Sequence, residues 1–241
     1  MVEIKGIVFD KDGTLIDFMA SWMPAIYQAV NHFASNDQAI AEKMLIASGY
    51  DAQRHLILAG SILAAGNNQQ IINCWSQVLA IQPNQDMLIK LDEIFQYHNR
   101  HSSVAVTDLH PLLCALKSRG IKIGLATSDS EQGARQTLDA LGVANCMDFI
   151  CGYDSGYGVK PEAGMVTAFC QQLQIDPRNV MVVGDNTHDL HMARKAQAKL
   201  AVGVLTGTSR AVKLYEADYI LDSVADIPEL LDNLQLTPQP H

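Results

Sequence analysis

The chain has 241 residues, 48% of them hydrophobic and 18% charged, with a formal net charge of -9. It is too apolar for intrinsic disorder and long enough to bury a core without disulfide or metal staples. Its acidic balance, with no cluster of Lys or Arg, argues against a nucleic-acid or anionic-membrane surface. A small anionic substrate would therefore have to meet positive charge that is placed locally.

The apolar run at residues 4–9 predicts a buried strand ending at Asp10, Lys11, Asp12 and Gly13. This run is too short for a signal peptide, and no stretch of about 18 apolar residues follows, so neither a leader nor a membrane span is expected. Cys74, Cys114, Cys146, Cys151 and Cys170 form an odd set with no C-x-x-C pair, which suits reduced, buried thiols of a cytoplasmic protein.

After the first strand β-like runs are scarce as far as Val104. Apolar residues instead recur at helical spacing: Trp22, Ile26 and Val30; Ile71, Trp75 and Leu79; Leu91, Ile94 and Phe95. Gly49, Gly60, Gly66 and Pro83 punctuate this stretch, and the expectation is an all-helical insert. Beyond it the pattern alternates. Helices are expected over residues 111–118, 131–141, 161–173, 189–196, 209–215 and 227–234. Strands are expected over residues 121–127, 148–151, 180–183, 201–205 and 219–221, with a frayed tail at 237–241. Such alternation predicts an α/β fold with a doubly wound, Rossmann-like parallel sheet. The domain boundaries expected are 1–17 with 105–241 for the α/β core and 18–104 for the helical insert.

Polar groups gather where strands end. Asp10 and Asp12 follow the first strand, Thr127 and Ser128 end the run at 121–127, and Asp185 follows the run at 180–183 after Gly184, while Lys160 precedes Pro161. Ligands of open parallel sheets bind at the carboxyl ends of the strands, so these distant residues can converge. Carboxylates brought together there repel unless a cation lies between them. Oxygen ligands without histidine favour a hard ion such as Mg2+. Taken singly, each residue has a plainer reading: Asx turns for Asp10 and Asp12, a helix start for Asp185 and Asp189, a solvated Lys160.

Together, I-V-F-D-K-D-G-T-L-I-D, the Thr127-Ser128-Asp129 strand end, G-V-K-P around Lys160 and G-D-N-T-H-D at Asp185 resemble the haloacid dehalogenase superfamily, in its phosphatase branch with a helical cap, near the phosphoglycolate-phosphatase-like members. The resemblance spans the whole chain and assigns residues 18–104 to the cap. It implies that Asp10 is the nucleophile, forming an aspartyl-phosphate, and that Asp12 is the general acid and then base. It implies that Thr127, the Ser128 amide and Lys160 hold the phosphoryl group, and that Asp10, the Asp12 carbonyl and Asp185 bind Mg2+ with Asp189 supporting them. The implied substrate is a small phosphorylated metabolite. Lys11 departs from the family's usual apolar residue, although the distantly related P-type ATPases carry Lys there.

Two alternatives stay open at this point: a sugar-phosphate mutase of the same fold, and a non-catalytic phospho-acceptor or binding relative. A phosphonate hydrolase would need a cap lysine, for which Lys43 is the obvious candidate, and a solvated charge beside Glu42 explains that residue more simply. Arg54, His55, Arg100, His101 and the stretch from Gly60 to Asn68 are candidate substrate contacts, set against helix surface and inter-helix turn. The chain would cross between its domains near residues 15–18 and 102–107.

Overall fold

Gly6–Phe9 form strand β1, with all four residues buried. The computed structural model describes residues 3–58, 60–208 and 214–236. After β1 come α1 (Phe18–Phe33), α2 (Gln38–Ser48), β2 (Tyr50–Asp51), β3 (Leu56–Ile57), α3 (Ile62–Ala65), α4 (Asn68–Leu79) and α5 (Gln85–His101). The chain continues with α6 (Leu109–Ser118), β4 (Lys122–Ala126), α7 (Glu131–Ala140), β5 (Phe149–Cys151), α8 (Gly164–Leu173) and β6 (Val180–Gly184). Helix α9 (Thr187–Lys195), β7 (Leu200–Val204), β8 (Tyr219–Leu221) and α10 (Ile227–Leu236) complete it. Two units emerge: Met1–Asp17 with Val104–His241, and Phe18–Ser103.

The first unit holds a six-stranded sheet in the order β5-β4-β1-β6-β7-β8, with every neighbouring pair parallel. Its strands read as continuous apolar runs because both faces are covered. Ile7, Phe9, Ile123, Leu125, Met181 and Val183 point into one core with Leu113 and Leu116 of α6 and Leu231 of α10. Val8, Val180 and Val182 point into the other with Phe169 of α8 and Leu190 of α9. Strand order reverses around β1: the chain builds outward through β4 and β5, then returns to lay β6 on the opposite side. Crevices at such reversals are where doubly wound sheets bind ligands.

The second unit is packed around Trp75, Ile26, Met44, Ile72 and Leu91, all nearly inaccessible. The indole N–H of Trp75 donates to the Ser48 hydroxyl, whose own proton goes to the Met44 carbonyl, so the one polar atom of this large core side chain is satisfied. The unit is not all helix. Asp51 Oδ1 accepts the N–H groups of Gln53 and Arg54, an Asx turn that folds residues 50–57 into the short antiparallel pair β2–β3. Arg54 therefore sits in a hairpin turn instead of on a helix, and His55 Nδ1 lies 3.2 Å from the Tyr50 hydroxyl. Asn67 caps α4 in a reciprocal box with Gln70, as an inter-helix turn would.

Strands and helices in the α/β unit begin and end within a few residues of expectation. Most of the helix expected at 209–215, the tail at 237–241 and the side chain of Arg100 lie outside the described residues. Among the cysteines, Cys146, Cys151 and Cys170 are buried, whereas Cys114 is exposed and Cys74 half-buried.

Candidate active site

The site is built at the reversal. The Asp10 N–H donates to the Val183 carbonyl at 2.8 Å, extending the β1–β6 pairing to the first residue past the strand. The chain then folds into a tight loop in which the Lys11 carbonyl accepts the N–H groups of Leu15 and Ile16 at 2.9 and 3.0 Å. Gly13 makes this loop possible on two counts. Its φ is +84°, and a β-carbon there would stand 2.7 Å from the Asp185 carboxyl carbon.

Two side-chain networks meet in this region. In the first, the Lys160 ammonium, with its side chain 4% exposed, donates to Asp10 Oδ1 and, at 2.6 Å, to Asp189 Oδ1. Asp189 Oδ2 accepts the Asn186 N–H at 3.1 Å, closing a capping box at the start of α9 that fixes this carboxylate in place. Asp185, buried at the end of β6, accepts the Thr208 N–H on Oδ2 at 2.9 Å. Oxygens of Asp10, Asp185 and Asp189 lie within 4.8 Å of one another.

The second network is centred on Lys11, whose side chain is 1% exposed. Its ammonium pairs with Asp129 at 2.7 Å and with Asp12 at 3.1 Å. The Asp129 N–H donates to the Thr127 hydroxyl at 3.0 Å, and the Thr127 N–H to the Cys151 carbonyl. Thr127 is buried, and Ser128 is exposed in the same loop. Asp10, Lys160, Asp185 and Asp189 are thus brought into one cluster. The Asp12 carboxylate belongs instead with Lys11, Asp129 and Thr127.

The electrostatics follow from burial. Desolvation pushes the Asp10 carboxyl up to about 6 despite the pull of Lys160, and Asp189 adds to the rise. Asp185 is raised well above the carboxylate range, by burial first and then by Asp10 and Asp189. Burial also works against the charges of Lys160 and Lys11. Their carboxylate partners more than offset it, and both ammonium groups are held above the ordinary lysine range. Three crowded carboxylates therefore face the Lys160 ammonium, with two of them strained toward protonation. A divalent cation among their oxygens would relieve that strain, and an all-oxygen donor set suits a hard ion. The residues present fit such a metal.

Two parts of the site had no place in the sequence reading. One is Asp129 as the partner of Lys11. The other is the loop after β7, where the Thr206 hydroxyl donates to the Gly13 carbonyl at 2.7 Å and Thr208 to Asp185. Between them a β-carbon on Gly207 would fall 1.9 Å from Asp185 Oδ2, so only glycine lets this backbone reach the carboxylate. The available signal was the small, polar Thr206-Gly207-Thr208 just past an apolar strand run, the same feature that marks the other strand ends.

Residues 4–197 match the model of the haloacid dehalogenase-like hydrolases. The chain belongs to this family. A pyrophosphatase PpaX of Bacillus mycoides (strain KBAB4) is 25% identical over 234 residues, covering 97% of this chain and 99% of the relative. A predicted phosphoglycolate phosphatase from Haemophilus somnus 129PT superposes with a TM-score of 0.75 at 21% identity, covering 96% and 99% of the two chains. A beta-phosphoglucomutase from Clostridium difficile gives 0.63 at 19% identity over 97% and 100%. These structural likenesses speak for the fold, which this hydrolase shares with a mutase as well as with phosphatases. No helix among its described residues is long and apolar enough to cross a membrane.

Proposed function

We propose that the protein is a Mg2+-dependent phosphatase that hydrolyses a small phosphomonoester of the phosphoglycolate type through an aspartyl-phosphate on Asp10. The observation that carries this reading is the bridge from Lys160 to both Asp10 and Asp189 beside Asp185, at the carboxyl ends of the strands where the sheet reverses. It supplies the local positive charge that an anionic substrate requires on so acidic a chain.

Asp10, with one oxygen held by Lys160, attacks phosphorus and becomes esterified as the substrate's oxygen leaves. Asp12 gives that oxygen a proton and then takes one from the water that releases phosphate, regenerating Asp10. The Lys11 ion pair holds Asp12 beside the loop of Thr127 and Ser128, whose hydroxyl and amide bind phosphoryl oxygens. Lys160 offsets charge on both nucleophile and phosphoryl group. Asp10 and Asp185, with the Asp12 carbonyl and the support of Asp189, would hold the Mg2+, which when bound screens these carboxylates and draws charge from the phosphoryl oxygens.

The test is phosphate release from a panel of phosphorylated metabolites and an aryl phosphate, with Mg2+ and with chelator. Metal-dependent release that disappears in Asp10→Asn supports the reading. Release that survives in Asp10→Asn overturns it. Isomerisation of a hexose phosphate without net release would favour the mutase, and a chain inert toward every substrate would favour the non-catalytic relative.

A further inference from the structure

Helix α6 presents His110 and Cys114 one turn apart, both exposed. Against this helix packs the 3-10 turn Ala144–Cys146, which ends in the buried Cys146. A ring nitrogen of His110 and the sulfurs of Cys114 and Cys146 lie within 4.8 Å of one another. The Cys114 sulfur is 3.8 Å from Nδ1 and 3.9 Å from Nε2 of His110. In a tetrahedral zinc site, bonds of ~2.3 Å to sulfur and ~2.0 Å to nitrogen require S···N edges of about 3.5 Å. The measured separations exceed that edge by only a few tenths of an ångström, and the imidazole, whose two nitrogens are nearly equidistant from the Cys114 sulfur, is exposed and free of the core, so it can turn to present one of them to an ion.

We propose that His110, Cys114 and Cys146 form a second metal site, one that takes a borderline-soft divalent ion of the zinc class and leaves a fourth position open to water or an external ligand. The donor set argues for this class, since two sulfurs and an imidazole match zinc-like ions and are poor ligands for Mg2+. Both sides of the site are braced. His110 and Cys114 share one helix, and the turn carrying Cys146 is held by the Lys117 ammonium, which donates to the Cys146 carbonyl and to Asp148. Burial and the neighbouring Cys114 raise the Cys146 thiol, a penalty on the thiolate that a bound cation would cancel. The place in the fold separates this site from the chemistry. Cys146 precedes β5, toward the amino end of the sheet, whereas Asp10, Thr127 and Asp185 follow the carboxyl ends of β1, β4 and β6.

Titrating the reduced, metal-free full-length protein with Co2+ tests the proposal, because only sulfur ligation gives a thiolate-to-cobalt charge-transfer band in the near ultraviolet. The expected result is that band saturating at one equivalent and vanishing when Zn2+ is added. His110→Ala and Cys114→Ser, both at exposed positions, should weaken Co2+ binding by more than the roughly 10–100-fold that losing an outer-shell partner costs while leaving phosphate release unchanged. Absence of the band, or a band that both variants retain at wild-type affinity, overturns it. Co2+ held by the carboxylate cluster alone gives no thiolate band and counts as the former result.

Discussion

Lys11→Met removes the least accessible charge among the described residues of the α/β unit while keeping most of the side chain's volume. The Lys11 side chain is 1% exposed, and its ammonium touches Asp129 at 2.7 Å and Asp12 at 3.1 Å. Breaking a fully buried ion pair from one side costs roughly 3–5 kcal/mol, because the partner stays behind uncompensated. Here the partners are 21% and 20% exposed. Water screens part of their charge, and Asp129 keeps its bond from the Ser130 N–H, which lowers the expected loss to about 2–4 kcal/mol. At roughly 2–4 °C per kcal/mol for a chain of this size, the melting midpoint should fall by about 4–16 °C. Thermal unfolding followed by circular dichroism reads this directly. The double variant Lys11→Met/Asp129→Asn should recover part of the loss, since one of the two stranded charges is gone, with a coupling of about 1–3 kcal/mol. A single variant that melts with the wild type, or a double variant that shows no coupling, would refute the assignment of Lys11 to a buried ion-pair centre.

Asp10→Asn should abolish turnover. Asp12→Ala should lose roughly 10²–10⁴-fold yet accumulate one phosphoryl group on Asp10 from an aryl phosphate, seen as added mass; unimpaired turnover by either variant would sink both roles. Gly207→Ala forces a methyl group to 1.9 Å from Asp185 Oδ2, so the Mg2+ concentration for half-maximal activity should rise by about 10–100-fold, and an unchanged Mg2+ curve would count against the role of this loop. Burial opposes the charge of Asp148, but the Ile123 N–H and the ammonium groups of Lys117 and Lys122 prevail and hold its carboxyl below the usual range. A depressed folded value stabilises the protein above the unfolded value of about 3.9 and is lost as pH falls through the folded one. The stability gap between wild type and Asp148→Asn should therefore be full at neutral pH and close below about pH 4, as urea titrations at several pH values would measure.

What could be read from the sequence depended on how much of each feature is local. Strands such as Val180–Gly184 are buried on both faces and so announce themselves as apolar runs. Helices such as α4 carry their caps and their buried stripe within a dozen residues. The β2–β3 pair could not be seen this way, because strands of two residues have no period and depend on one Asp51 side chain. Boundaries slipped where a hydrogen bond outside the element decides them. Thr127 reads as strand, for example, but lies in the loop where its hydroxyl accepts the Asp129 N–H. For the site, the acidic and hydroxyl residues at strand ends were visible because polar groups stand out directly after buried apolar runs. Their partners were not: Asp129 lies 118 residues from Lys11, and Thr208 lies 23 from Asp185. Gly207 acts through the side chain it lacks, and no residue pattern records a required vacancy.

The passage between the two units has a consequence for how the chain can be assembled and rearranged. Where the helical segment leaves and re-enters the α/β unit, the two connecting stretches lie antiparallel. The Asp17 N–H donates to the Val104 carbonyl at 2.8 Å, the Val106 N–H donates to the Leu15 carbonyl at 3.0 Å, and Ile16 bridges Ala105. Seen from the sheet, everything from Phe18 to Ser103 is a single very long loop whose two ends are clasped. Left unstructured, such a loop would cost roughly 4 kcal/mol in closure entropy before β1 could meet β4. Folded on its own core, it delivers its ends as a pair, and the central strand then joins its neighbour as if the two were close in sequence. The clasp is thus a splice point. A segment exchanged there would have to bring its two ends to the same separation to keep this pairing, and with it the start of the sheet, as they are.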